Sequence, residues 1–349
     1  MAGSRTGRVT LADVAAEVNV SVQLVSAVMN GRGPSTIGAS DETRRRVREA
    51  AERLGYRRNA DAASLRTARH GRVGVLMDRQ DAGVFLPQNI LAAMSDCFGK
   101  ANLGLMIDSV LLSNAEARRK SRLMNEDCVD ALVVGLSRAP EPTLVRALRS
   151  MDLPLLWLHR PLSKNSVSYD EAEAAAGLVE HLAQRGHRTI HFLDLNAPPD
   201  DAFAIRQRAE GFQRACEANS IHGVINFDHL VPRPQRASFA RQWLDDHPQP
   251  TAVILGSCTA AQVFLDVALQ IGREVPRSLA IATFDSGTMC TANAPSITAA
   301  ILSQQAFGQA AGEMAVTLAT KSAQSCRSRM IPCPVQVGGT TNQVSNEDL

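Results

Sequence analysis

From Arg72 onward the chain alternates unbroken apolar runs with stretches of helical periodicity, and this alternation restricts the fold more than any other feature. The first set of runs covers residues 73–77, 103–107, 131–135 and 155–158; the second covers 189–193, 223–227, 252–255 and 279–284. A strand with one wet face alternates apolar and polar side chains, whereas an unbroken apolar run is buried on both faces. Such strands separated by helices predict parallel sheets covered on both sides. Two sets, dividing near residues 165–170, predict two doubly wound parallel-sheet subdomains with a cleft between them. Small ligands bind such folds at the carboxyl ends of the strands.

The segment before Arg72 reads differently. Thr10 and Asp13 have the spacing of a capping box, and Leu11, Val14, Ala15 and Val18 then share one helical face. Asn19 suits the left-handed conformation that stops a helix. Ser21 is placed to cap a second helix with Val25 and Val28 inward; Val22, Gln23, Ser26 and Ala27 lie elsewhere on its surface, and Asn30 follows. A third helix starts at a Ser40 cap, runs through Val47, Ala50, Ala51 and Leu54, and ends at Gly55. Two short helices joined by a tight turn form a helix-turn-helix, whose second helix enters the major groove by its first residues. Periodicity alone leaves a protein-interaction bundle open. The charge favours a polyanion: residues 1–70 hold twelve Arg, no Lys and seven acids, a net of +5, on a body of −3. Aromatics at 4% argue against a stacking platform for single strands.

The wording from Thr10 to Gly31, then Ser40-x-x-Thr43-Arg44, Leu54-Gly55-Tyr56-x-x-Asn59 and Ala62-x-Ser64-Leu65, closely resembles the start of lactose-repressor (LacI/GalR) family regulators. Nearly all of the first 67 residues match in order and spacing. The resemblance implies a repressor-type transcription factor, a homodimer on a palindromic double-stranded operator, whose affinity a small molecule modulates. Thr10, Ser21 and Ser26 match family phosphate contacts, and Val22, Gln23 and Ala27 its base-reading positions. Gln23 can pair bidentately with adenine, and Val22 can touch a thymine methyl. Ala27 replaces the usual Arg, and the loop 31–39 is longer than usual and expected in solvent.

Residues 58–71 are polar and Arg-rich. Asn59 can cap a short helix over 60–67, too short to persist alone in water. In the resembling family this hinge folds on DNA and a Leu, here Leu65, wedges into the minor groove. Arg58 replaces the usual Pro and Ala63 the common Arg.

In the body, Gly186-His187-Arg188-x-Ile190, Arg208-x-x-Gly211-Phe212, Val275-Pro276 and Phe284-Asp285 stand where family members carry similar words, so the body resembles sugar-binding periplasmic proteins. The resemblance implies effector contacts at Arg208 and Asp285, with Asp170, Arg160 and Phe85 as further candidates and a sugar or sugar derivative as ligand. Ser257-Cys258 replaces a common Asn-Asp pair. The resulting division is 1–57 for DNA binding, 58–71 for the hinge, 72–341 for effector binding and dimerisation, and a tail at 342–349. Within the body, one subdomain takes 72–167 with part of 292–325, and the other 168–291 with the C-terminal segment.

No apolar run of membrane-spanning length occurs, and seven scattered cysteines without a C-x-x-C pair fit reduced thiols. A cytoplasmic, nucleoid-associated protein without cofactor, disulfide frame or zinc site is therefore expected. There is no G-x-G-x-x-G after the first strand, no Walker loop and no G-x-S-x-G elbow, and so no enzyme is expected. His187 and His191 read as structural, since four residues along a strand do not share a metal as on a helix. The competing class is a two-lobed solute-binding protein or enzyme whose head serves another purpose.

Overall fold

The computed structural model describes residues 8–29, 39–57, 69–79, 86–111, 115–136, 140–196, 203–227, 230–248, 251–287, 289–321 and 325–341. They form two compact units, Met1–His70 and Gly71–Leu349. The candidates Asn30, Asn59, Leu65 and Phe85, most of the hinge and the tail lie outside the described residues.

The first unit holds α1 (Leu11–Val18), α2 (Val22–Met29) and α3 (Asp41–Arg53). Thr10 Oγ1 accepts the Asp13 N–H at 3.4 Å while Asp13 Oδ2 accepts the Thr10 N–H at 2.9 Å, so two orphan donors of α1 are satisfied reciprocally. Asn19, at φ 55° and ψ 54°, stops α1. Ser21 and Ser40 accept from the N–H groups of Leu24 and Thr43, each at 3.2 Å, and start α2 and α3. Gly55, at φ +68°, turns the chain after α3. Val14, Val18, Val25, Val28, Val47, Ala50 and Ala51 close a core among the three helices.

In the second unit one sheet has the order β2-β1-β3-β4-β5-β11: β1 (Arg72–Asp78), β2 (Gly104–Val110), β3 (Ala131–Gly135), β4 (Leu155–Leu158), β5 (Ser166–Tyr169) and β11 (Arg329–Ile331), all parallel. The other has the order β7-β6-β8-β9-β10-β12: β6 (Thr189–Leu193), β7 (His222–Asn226), β8 (Thr251–Leu255), β9 (Leu279–Asp285), β10 (Thr298–Ile301) and β12 (Val335–Gln336), with only β12 antiparallel. The covering helices are α4 (Gln88–Lys100), α5 (Ala115–Lys120), α6 (Arg122–Asn125), α7 (Pro142–Arg149), α8 (Glu171–Gln184), α9 (Phe203–Ala218), α10 (Arg236–Asp246), α11 (Cys258–Gln270) and α12 (Gln304–Thr320). Every residue of β3 and of β9 is buried, as their unbroken apolar runs require. The backbones of α8 and α9 approach so closely that a Cβ at Gly211 would lie 2.6 Å from the carbonyl carbon of Ala172. That position therefore excludes any side chain.

The chain passes between the lobes three times, after β5, after β10 and between β11 and β12. This settles one boundary that the sequence leaves open and corrects one expectation. Residues 298–301 belong to the second sheet, and the C-terminal segment, expected whole in the second lobe, gives β11 to the first sheet and β12 to the second. The short strands β5, β10, β11 and β12 were not anticipated, because two to four residues are too few for a periodic signal. Ala39, expected in a solvent loop, is buried.

His181 on α8 and His191 on β6 are both buried, and burial holds each imidazole down at about 4, against an ordinary 6.5. The folded chain keeps them neutral while the unfolded chain takes up protons below about 6.5, so stability is full above that pH and is lost as pH falls toward 4. His191 Nδ1 has no hydrogen-bond partner among the described residues, and its ring meets Trp243 edge-on. We expect the melting temperature to fall between about pH 7.5 and about pH 5, and the fall to shrink in His191→Phe. An unchanged fall in that variant, measured by calorimetry, would remove His191 as a cause.

Candidate nucleic-acid interface and effector site

Helices α1 and α2 meet at 110°, joined by the turn Asn19-Val20-Ser21. That angle and turn length are those of a helix-turn-helix. Once Val25 and Val28 are committed to the core, the first turn of α2 presents Val22, 45% exposed, and Gln23 to solvent. An exposed valine beside an exposed amide at the start of a helix suits a groove edge with both a methyl group and a donor–acceptor pair. Thr10 and Ser21 are exposed at the two helix starts, and Ser26 is half-buried. Ala27 requires correction. It is only 8% exposed, on the buried side of α2 with Val25 and Val28, and has no surface for reading a base.

In the second unit, polar groups collect at the carboxyl ends of the strands. Asp285, the last residue of β9, is 7% exposed, and its Oδ2 accepts the N–H groups of Gly287, Met289 and Cys290 at 3.1, 3.1 and 3.0 Å. It therefore shapes the turn after β9. Asp194, just beyond β6, is 3% exposed and burial raises its carboxyl pKa, while it accepts the N–H of Asn196 at 2.9 Å. Gly256 has no room for a side chain, since a Cβ would lie 2.5 Å from the Asp194 Cγ.

Arg208, on α9, stands at the centre of this end of the lobe. Its Nε donates to Glu171 Oε2 at 2.7 Å, its Nη1 to the Gly256 carbonyl at 2.9 Å, and its Cζ lies 3.9 Å from the Phe284 ring centroid. With side chains 10% and 7% exposed, Arg208 and Glu171 make a buried pair that ties α9 to α8 and to the end of β8. Asp170 caps α8 by accepting the Glu173 N–H at 3.2 Å. Arg160, half-buried beyond β4, has its Cζ 4.9 Å from the Trp157 ring and 5.2 Å from that of Phe203 on α9, so it bridges the two lobes. Its buried Nε has no hydrogen-bond partner among the described residues. Arg160, Asp170, Arg208 and Asp285 thus stand at or next to strand ends. Sequence reasoning missed Glu171, Asp194 and Phe203, which only tertiary pairing brings to the site.

The two units together define a DNA-binding head of helix-turn-helix type and a two-lobed binding domain. Residues 10–59 match the family described as bacterial regulatory proteins, lacI family, and residues 179–341 match a periplasmic binding protein-like domain. The chain is 26% identical over 336 residues to the HTH-type transcriptional regulator IpsA of Corynebacterium glutamicum, covering 89% of this chain and 92% of that protein. It is 27% identical over 313 residues to the HTH-type transcriptional repressor PurR of Salmonella paratyphi B, covering 87% and 89%. The crystal structure of the lac repressor dimer bound to operator and the anti-inducer ONPF superimposes with a TM-score of 0.81 at 22% identity, over 96% of this chain and 100% of that one. Residues 10–59 thus match the lacI family's DNA-binding head, and over most of its length the chain is similar to transcriptional regulators. These relatives are transcriptional regulators, not enzymes.

Arg208→Ala leaves the Glu171 carboxylate buried and unpaired, which costs about 3–5 kcal/mol of stability. We expect a lower urea midpoint for Arg208→Ala and partial recovery in Arg208→Ala/Glu171→Gln. A midpoint equal to that of the parent would show that the pair bears no structural role.

Proposed function

We propose that this regulator binds a palindromic operator as a homodimer, through Val22 and Gln23 of α2 with Thr10, Ser21 and Ser26 on the phosphates, and that a small molecule held between the lobes changes that affinity. The observation that carries the DNA reading is the exposed start of α2, set at 110° to α1 over an apolar core. Net positive charge in residues 1–70 supplies a salt-dependent, sequence-independent attraction. Asn30, Asn59 and Leu65 join this interface on the family pattern, Leu65 as a minor-groove wedge. Ala27 is left out because it is buried.

For the effector, the carrying observation is Arg160, whose buried Nε has no hydrogen-bond partner among the described residues and whose guanidinium lies near the rings of Trp157 and Phe203. A flat apolar wall beside a charged donor, with the carboxylate of Asp170 after β5 of the first sheet and that of Asp285 at the end of β9 of the second, suits a polyhydroxylated molecule such as a sugar or sugar derivative. Phe85 joins this wall on the family pattern. Binding at such a cleft biases the angle between lobes and shifts operator affinity by about 1–3 kcal/mol. The protein acts in the cytoplasm, on the nucleoid when bound to operator.

Gel-shift titration of the purified chain against DNA upstream of its own coding region tests the reading. We expect salt-sensitive binding to one site over random duplex, and about a tenfold or larger loss of that preference in Gln23→Ala. Equal affinity for site and random duplex would refute the DNA reading. Thermal shift against sugars and sugar acids tests the effector: ligands that stabilise the parent but not Arg160→Met support the cleft, and equal stabilisation of both removes Arg160 from it.

A further inference from the structure

The turn after β9 and the start of α11 bring two core cysteines against Asp285, a carboxylate that the proposed effector site also uses, and this inference rests on that placement. Cys258 and Cys290 lie 32 residues apart in sequence, yet their Sγ atoms are 3.3 Å apart. The ligand atoms of Cys258, Asp285 and Cys290 all lie within 4.8 Å of one another, and the three residues are 5%, 7% and 2% exposed. Scattered cysteines without a C-x-x-C pair argue against a metal site in the sequence; the fold assembles the pair that the sequence separates.

We propose that Cys258, Asp285 and Cys290 bind a borderline-soft divalent cation of the Zn2+ class at the carboxyl ends of β8 and β9. Donor chemistry sets the choice of ion. Two sulfurs and a carboxylate oxygen select zinc-like ions, whereas magnesium and calcium need oxygen cages. Distance separates this from a disulfide. Tetrahedral ligation with Zn–S of ~2.3 Å places two sulfurs ~3.8 Å apart, so the pair opens by ~0.5 Å. A disulfide at ~2.05 Å would need the pair to close by more than ~1.2 Å.

Electrostatics agree. Two thiolates and a carboxylate packed together repel one another, and a dication relieves that repulsion. Cys258 is the first residue of the 13-residue α11, so its sulfur sits at the positive end of the helix dipole. The three N–H groups on Asp285 Oδ2 fix its carboxylate as an outer shell fixes a metal ligand. Three protein ligands leave a fourth position for water or for a donor atom of an effector. Each bound thiol releases its proton to solvent, so affinity rises with pH.

Co2+ serves as the probe, titrated into the full-length, freshly reduced, metal-free protein. One equivalent per chain is expected to produce thiolate-to-cobalt charge transfer in the near ultraviolet with the visible bands of a four-coordinate site, and Zn2+ is expected to erase both. Cys258→Ser and Cys290→Ser each lose the charge transfer, Asp285→Asn binds at least about tenfold more weakly, and Cys216→Ser behaves as the parent. Because a variant in this buried corner can misfold, X-ray absorption on the zinc-loaded parent supplies a second readout: sulfur scatterers at ~2.3 Å with a lighter oxygen shell. The assignment is overturned by absence of the band in the reduced parent, by its survival in Cys258→Ser/Cys290→Ser, or by an all-oxygen shell. It is also overturned if the reduced chain ignores Co2+ yet joins Cys258 to Cys290 as a disulfide under hydrogen peroxide. None of these readouts uses DNA or an organic effector, so their failure is distinguishable from failure of the regulatory reading.

Discussion

Burial of both faces of two parallel sheets is the constraint on which the rest of the body depends. A strand such as β9, buried at all seven positions, has no place for a charged side chain until it ends, and its one interior hydroxyl, Thr283, donates to the Leu255 carbonyl. Polar groups are therefore pushed to the strand ends, and Asp194, Asp285 and the carbonyl of Gly256 all lie there. Groups buried in such a place are tolerated only with partners. Asp285 has three backbone donors, Arg208 has Glu171 and Gly256, and Arg160 has two aromatic faces. The chemistry of the binding domain follows from where its strands run out.

Much of this was legible in advance because local rules sufficed. The capping box at Thr10, the left-handed Asn19 and the Ser21 and Ser40 caps each depend on residues within one turn, and the structure forms all four. The eight long apolar runs became strands; the central ones are largely buried, which leaves a plain mark in composition, while the edge strands β2 and β7 are mostly half-buried or exposed. What escaped depends on partners distant in sequence. The strands β11 and β12 exist because neighbours accept them, and the pairs Arg208–Glu171 and Cys258–Cys290 join residues 37 and 32 positions apart. Ala27 misled because family position was read as exposure; a methyl group at that place on α2 tucks against the bundle instead.

Three chain passages join the two lobes, and the core is continuous from Val133 and Tyr169 through Phe307 to Phe284 and Ile190. Packed cores resist gradual deformation, so relative motion of the lobes favours two discrete arrangements over a continuum. The contact of Arg160 with Phe203 joins the two lobes at the strand ends, where the proposed effector site would bias such arrangements.

The placement of α12 and β11 also bears on how the protein is made. The N-terminal head draws its core from residues 9–56 and is complete early in synthesis. The first lobe is not: one face of its sheet waits for α12, and its β5 edge waits for β11, both near the end of the chain. While the ribosome adds the second lobe, an apolar sheet face stands open to water, where chaperones and like-minded chains can reach it.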